Sequence, residues 1–532
     1  MSTPQSKIFI CSGVPLNNRY EHTIFFGSVT AQQQYFAAKV VRTLAAYSYL
    51  RKTWPLKVEA TLEEANTWTY LLLSNPYDQN RTEKFYYYFI NSVEYVNDHT
   101  VELQLELDVM QTYMFDYELL PCFVERQHTP TDEPGEHTVE EGLDVGEYII
   151  NGEETLPLSE LCIMVMSTYD LEQTNADQTR KFAGGITDGC FTGLNINAVK
   201  YSDWAKLALK LNELDGAGKS DGIVSMWMYP KNMIKLSDGA DWSEDTTFHL
   251  VGTVEPMFTE TARPSTVNGY TPKNNKLLGY PYSFMYATNN LGEAATFRYE
   301  RFGDPTACIL RTIGAVGAGG GIRTYALNYN GEQHAYEHGV SLMDWPTCAW
   351  NQDVYKLWLA QNQNQHSLSM LTSGIKVVGG LAATLFSGGV GAAAGLGAAA
   401  TGGMEIANHL AQKADRAIQP PEAKGVTSAS INVACTFQSI DVKRKSITRE
   451  YAEIIDNYFT MYGYKINRVQ APERNARKAF TYVKTIGCHI KSNLCNEDTV
   501  KIESVYDSGI TFWRDGDRMC DYTQDNSPET EG

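Results

Sequence analysis

At 532 residues the chain is too long for a single hydrophobic core, and its 43% hydrophobic and 20% charged residues are globular proportions that exclude a disordered or multi-span protein. A net charge of −19 excludes nucleic-acid binding through a basic surface, because affinity for phosphate comes from clustered Lys and Arg. Nucleic acid sliding past an acidic wall without sticking is still compatible with that charge.

The N-terminus, "MSTPQSKIF", has no charged-then-apolar signal pattern, so synthesis in a cytoplasm is expected. The first 125 residues alternate in the β manner. "AQQQYFAAKVVRTL" (Ala31 to Leu44) reads as a helix against this sheet. In "KFYYYFINSVEYVNDHTVELQLELDVMQ", Val101, Leu103, Leu105, Leu107 and Val109 share one face, and Asn97-Asp98 marks a turn. The stretch "TPTDEPGEHTVEEGLDVGE" carries seven acids from Asp132 to Glu147 together with Pro and Gly, and reads as a boundary loop. A middle region from about 148 to 345 mixes strands ("EYIING", "CIMVMST", "IVSMWMYP") with one helix, "DWAKLALKLNEL".

After it comes an insertion, "KVVGGLAATLFSGGVGAAAGLGAAATGGME", leading to the polar exit "KADRAIQPPEAKG". The last hundred residues return to alternation in "SINVACTFQSIDVKRKSI". A helix, "REYAEIIDNYFTMYGY", follows, with Tyr451, Ile454, Ile455, Tyr458 and Met461 on one stripe and Gly463 at its stop. Strands in "FTYVKTIGCHI" and "GITFW" close the chain. Aromatics make up 11% of residues, 32 of them tyrosine, which suits β structure and broad contact surfaces. The ten cysteines are scattered with no C-x-x-C pair and read as reduced, small buried hydrophobes.

Chemical motifs fall short of their requirements. "GAGKSDG" places Gly218-Lys219-Ser220 like the end of a phosphate loop, but Glu213 stands where the first glycine belongs and a helix precedes it. In "GAVGAGGGI" (Gly314 to Ile322) the third glycine of a dinucleotide fingerprint would fall on Ile322. "HAYEH" has the H-x-x-E-H order of a zinc hydrolase in His334, Glu337 and His338. Gly331 and Gly339 leave it only seven residues, too few for the helix this chemistry needs. The acidic clusters lack the EF-hand order. No catalytic residue, cofactor-binding residue or metal ligand is assigned.

The insertion carries more information. Its uncharged run, Val377 to Met404, is long enough to cross a bilayer, yet nine of its residues are glycine and eight alanine. Seven Val, Leu or Phe residues between Val377 and Leu396 favour insertion by about 2 to 4 kcal/mol. Nine glycines each cost about 1 kcal/mol relative to alanine in a helix. The terms roughly cancel. Small residues recur every fourth position from Gly379 to Gly403, a face that would pack closely in lipid. The reading is a conditional membrane element, against the alternative of a buried flexible loop or core hairpin.

Three stretches carry a family resemblance: "CFVERQHTPTDEPGEHTVEEGLDVGEYI", "WPTCAWNQDVYKLWLAQN" and "REYAEIIDNYFTMYGYKINRVQAPERNARKAFTYVKT". They resemble the tail-knob, or distal tail-tube, proteins of small short-tailed bacteriophages of the phi-twenty-nine kind. In the last of them Tyr451, Asp456, Tyr458, Gly463, Tyr464, Arg477, Tyr482 and Lys484 stand at the family's places. The resemblance implies an α+β, predominantly β fold: hub-like β-barrel tube domains with an inserted middle domain and a long hydrophobic loop.

It also implies a virion protein of the tail tip, made in the host cytoplasm. Such proteins form a homo-hexamer joined to other phage tail proteins. Their loops plug the lumen, then enter the host cytoplasmic membrane as a channel for phage DNA, which passes without sequence-specific binding. The expected organisation is a tube domain at 1–130, a middle domain at 131–345, the loop region at 346–425 and a second tube domain at 426–532. The membrane-inserting residues would be Val377, Val378, Leu381, Leu385, Phe386, Val390, Gly391, Gly395, Leu396 and Met404. A purely structural tail protein and a cell-wall hydrolase using His334, Glu337 and His338 are the competing readings.

Overall fold

The computed structural model describes residues 6–47, 55–75 and 84–349, apart from short stretches within 157–246 and at 291, 305, 315–321 and 343–346, and then residues 426–428 and 439–529. Val377 to Met404 and Gly218-Lys219-Ser220 lie outside the described residues. The chain divides into two compact units. One gathers Met1–Gly146, Gly269–Gly279 and Thr448–Gly532; the other gathers Glu147–Asn268 and Tyr280–Ile447.

The unit holding both chain ends is built on two large sheets. The first is six-stranded and antiparallel, running Val40–Tyr47, Ser6–Ser12, Trp68–Asn75, Lys84–Asn97, Thr100–Leu107 and Leu56–Glu59. The hairpin expected at Asn97-Asp98 forms there. Val101, Leu103 and Leu107 are buried along its second strand, which meets the first in the register Tyr95↔Val101 and Val93↔Leu103.

The helix expected over Ala31–Leu44 ends at Ala37, and Val40–Tyr47 is a strand. β-Branched Val40, Val41 and Thr43 favour the extended form, and the first strand offers backbone partners, with Cys11↔Val40 and Phe9↔Thr43 in register. Where the helix packs, Phe36 stacks on Tyr70 at 5.3 Å and meets Tyr87 at 4.8 Å, an aromatic centre for this core.

The second sheet mixes both ends of the chain. Its order is His22–Ile24, Ile510–Trp513, Phe480–Ile486, Cys122–Gln127 and Tyr464–Gln470, with only the first pair parallel. A helix over Asn496–Ser508 packs Ile502, Val505 and Tyr506 into the same core.

In the other unit a seven-stranded sheet is centred on Leu161–Ser167 and Ile223–Pro230, the latter buried along its whole length. Both are near-continuous apolar runs, as strands covered on both faces should be. The helix Trp204–Gly216 lies where the apolar spacing of "DWAKLALKLNEL" placed it, with Leu207 and Leu211 in the core. At one edge of this sheet Thr347–Ala349 pairs antiparallel with Val426–Ser428, in the register Thr347↔Ser428, Cys348↔Thr427 and Ala349↔Val426. The chain therefore leaves the described structure at residue 349 and returns to it at 426 on adjacent strands. Among the described residues no helix is long and apolar enough to cross a membrane.

Candidate functional site: a polar clasp under the acidic loop

The helix Arg449–Tyr462 starts on Thr448, whose hydroxyl accepts from the Tyr451 N–H, and stops at Gly463. Its buried face is Ala452, Ile455, Asp456, Phe459 and Thr460, not the Tyr451-to-Met461 stripe expected from apolar spacing; Ile454 is 59% exposed. The helix turns an acid inward because that acid is fully satisfied. The Asp456 carboxylate accepts from the Tyr270 hydroxyl (2.8 Å), the Lys273 N–H (2.8 Å), the Asn274 N–H (3.0 Å) and the Asn274 side-chain amide (2.8 Å). The same amide donates to Thr460 Oγ1 at 2.9 Å. A buried carboxylate is tolerated where its oxygens are met by donors at this density.

The acidic stretch after the strand Cys122–Gln127 is irregular, as expected of a boundary loop, but two of its seven acids are buried in this unit. Asp132 accepts from the Tyr464 hydroxyl and from the Asn275 N–H at 3.2 Å, while the Asn275 amide donates to the Asp132 carbonyl at 2.6 Å. Burial pushes the Asp132 carboxyl above the usual carboxylate range, against the pull of Tyr464 and Arg477. Glu141, with no side-chain exposure, pairs with both Arg126 and Lys276 and also accepts from the Lys465 N–H at 3.0 Å. The Lys276 ammonium donates to the Val139 carbonyl at 2.7 Å; burial pulls its pKa down and Glu141 holds it up. Arg126 donates to the Gly463 carbonyl at 2.7 Å and lies 4.7 Å over the Tyr458 ring.

His128 completes the arrangement. Its Nδ1 accepts from the Tyr482 N–H at 2.7 Å, so the neutral ring carries its proton on Nε2, which faces the Thr460 carbonyl at 3.1 Å. Burial, helped by Arg477, lowers its pKa to about 3. Both ring nitrogens are engaged, and both carboxylates of Asp132 and Glu141 are held by fixed donors. These groups fasten three chain segments together and leave no base beside a nucleophile.

The residues that carried the resemblance therefore converge. Asp456, Tyr464 and Tyr458 belong to the clasp. Gly463 has φ +63 and ψ −152, a region open essentially to glycine, and a Cβ there would run into the Gln127 carbonyl. Tyr451 packs against Gly146, Tyr482 meets Tyr462 edge-on at 5.2 Å, and Lys484 pairs with Glu125 at 2.9 Å. Arg477 is buried beside them.

Tyr270, Asn274 and Lys276 were not singled out from sequence. The signal available was the polar cluster "NGYTPKNNK", too concentrated for a strand in a region otherwise read as β. "HAYEH" forms two short 3₁₀ turns, Glu332–His334 and Tyr336–His338, with His334, Glu337 and His338 exposed, so the helical spacing of a zinc site does not form. Among the described residues no group of three or more His, Cys, Asp or Glu is placed to hold a metal.

Comparison with known proteins gives two family matches. The family described as the C-terminal domain of the tail knob protein gp9 of Bacillus phage phi29 matches residues 250–527. The family described as the N-terminus of the caudoviral major tail protein matches residues 4–118. The tail knob protein gp9 of Bacillus phage B103 is 27% identical, over 97% of this chain and 98% of its own length. That of Bacillus phage phi29 is 24% identical, over 98% of both. In fold, the chain is similar to the tail knob protein gp12 of bacteriophage C1, with a TM-score of 0.62 at 13% identity, covering 97% of this chain and 98% of that one.

Proposed function

Because the chain belongs to the phage tail knob family of phi29 gp9, a structural component of the virion tail, we propose that it forms a hexameric tube at the tail tip and carries a loop that enters the host membrane. Its partners in the virion are other tail proteins. In the tube, the loop at 350–425 plugs the lumen and is released to open a channel for DNA.

The observation that carries the loop reading is the pairing of Thr347–Ala349 with Val426–Ser428. It brings the two positions that flank this stretch of sequence side by side, as the base of a loop would be, and the sequence between them contains Val377 to Met404 with its balance between insertion and glycine cost. The surplus of acid, a charge of −19 on each chain, suits a passage that DNA crosses without binding. The clasp supports a static role for the unit that holds both chain ends, since it ties distant chain segments with satisfied polar groups.

Dye release from anionic vesicles tests the membrane step. The full chain is expected to release dye, most strongly after acidification, and a variant lacking 377–404 is expected to release none. Absence of release from the full chain at every pH and trigger would remove the membrane reading while leaving the tail knob assignment intact.

A further inference from the structure

Within the unit that holds both chain ends, a cavity of about 620 Å³ is lined by Arg477, His128, Asp132, Lys273, Thr460 and the C-terminal stretch Thr523–Pro528. Arg477 is 4% exposed. Its backbone is fixed, with the N–H donating to Thr481 Oγ1 and a β-bridge to Pro528. Its guanidinium is not: Nε is fully buried without a hydrogen-bond partner, and no carboxylate among the described residues forms an ion pair with it.

The neighbouring groups are already committed. Asp132 accepts from Tyr464 and Asn275, and His128 uses both ring nitrogens. Asn526 spends its carbonyl on the Ala479 and Phe480 N–H groups. Exposed Lys273 uses its backbone N–H on Asp456, and among the described residues no carboxylate pairs with its ammonium.

A guanidinium cannot shed its proton, and a buried one that feels Asp132 only through space, with no hydrogen-bonded carboxylate among the described residues, is a costly feature for a fold to retain. Here it borders a space of the size that small-molecule sites occupy, about 300 to 1,000 Å³. We propose that this cavity is a binding site for a singly charged oxyanion on a polar, hydroxylated body, with Arg477 forking onto the anion and Lys273 adding a second positive charge.

A monoanion fits better than a dianion because Asp132, Glu133 and Asp525 also line the space and would repel a second negative charge. The side-chain amide of Asn526 and the hydroxyl of Ser527 suit a polar body rather than an apolar one, while the Thr523 hydroxyl donates to Asp521. Carboxylate and phosphodiester share this chemistry, and both present two oxygens to the guanidinium fork.

Calorimetric titration of the full chain at constant ionic strength tests the site, with glucuronate as the carboxylate probe, dimethyl phosphate as the phosphodiester probe and glucose as the neutral control. Saturable binding of at least one anion is expected, with glucose at least about ten-fold weaker. Arg477→Gln should weaken the anion at least about ten-fold, Lys273→Gln by about three-fold, and Lys491→Gln, an exposed residue outside the cavity lining, not at all. Whichever anion binds with this dependence names the source.

Since a buried guanidinium without an ion-pair partner among the described residues costs stability, Arg477→Gln is expected to melt no lower than the wild type. If it does not fold, the exposed Lys273→Gln variant still decides. Failure of both anions to bind, glucose binding equally well, or anion binding indifferent to both Arg477→Gln and Lys273→Gln would each overturn the proposal and leave water as the occupant.

Discussion

Asp456 and His128 show what single side chains contribute here. Asp456 is fully buried and serves four donors, so Asp456→Ala would strand several of them in a dry interior at about 1 to 3 kcal/mol each. A loss of about 3 kcal/mol or more is expected in urea denaturation, with Asp456→Asn milder because one oxygen acceptor survives. Retention of full stability in Asp456→Ala would remove the clasp as the fastening of residues 270–274.

His128 makes the molecule acid-sensitive. Its pKa falls from 6.5 to about 3 on folding, so the unfolded chain binds the extra proton. Stability from this group is complete above the unfolded value and is lost as pH falls toward the folded one, with a slope of up to about 1.4 kcal/mol per pH unit between them. Asp108 acts with the opposite sign. Burial outweighs the donated bonds of Tyr70, Gln111 and Met110 and raises its carboxyl from 3.8 to about 6. Its contribution is complete below the unfolded value and is lost as pH rises through the folded one. Urea midpoints at pH 4, 5 and 6 are therefore expected to fall less steeply with acid in His128→Gln than in the wild type, and more steeply in Asp108→Asn.

At the scale of elements, the turn that ends the helix Arg449–Tyr462 is a backbone requirement that can be tested by contrast. Gly463→Ala would drive a Cβ into the Gln127 carbonyl as well as strain φ, while Gly142 has φ +70 but open space around its Cβ position. Gly463→Ala is expected to abolish soluble expression or cost at least about 3 kcal/mol, and Gly142→Ala about 1 kcal/mol, read as shifts in melting temperature. Equal shifts would mean that the close approach at Gln127 is not a constraint.

Elements with a clean period were legible in advance. The Lys84–Leu107 hairpin, the strand Ile223–Pro230 and the helix Trp204–Gly216 all stand where apolar spacing put them. Spacing failed where burial is not apolar. The helix Arg449–Tyr462 faces inward through Asp456 and Thr460, and the helix Asn496–Ser508 buries Asp498 beside Ile502, so neither inner face reads as a hydrophobic stripe. It failed again at Val40–Tyr47, where a partner strand distant in sequence decided between helix and extended chain. Of the clasp, Asp456, Tyr464 and Gly463 were visible through family resemblance. Tyr270, Asn274, Lys276 and the burial of Glu141 depend on three distant segments meeting, which no local pattern encodes.

At the scale of the whole molecule, the interleaving of both chain ends in one unit bears on how loop and tube relate. Strands from residues 22–24 and 122–127 share a sheet with strands from 464–470, 480–486 and 510–513, so among the described residues this sheet is built wholly from the two ends of the chain. In the other unit, the strands at 347–349 and 426–428, which flank the proposed loop in sequence, pair with each other. A segment joined at its base in this way can be shortened at its tip while the base keeps its register. If the proposed function holds, assembly and membrane activity should therefore be separable.

The full chain is expected to run as a hexamer of about 360 kDa, six copies of 59.5 kDa, and to show a six-fold ring in electron micrographs. The variant lacking 377–404 should form the same ring at a mass lower only by the deleted residues, with its vesicle leakage gone. If the deletion instead yields monomers, the segment is part of the tube's packing and not a released element, because a plug that leaves its tube cannot also be what holds the tube together.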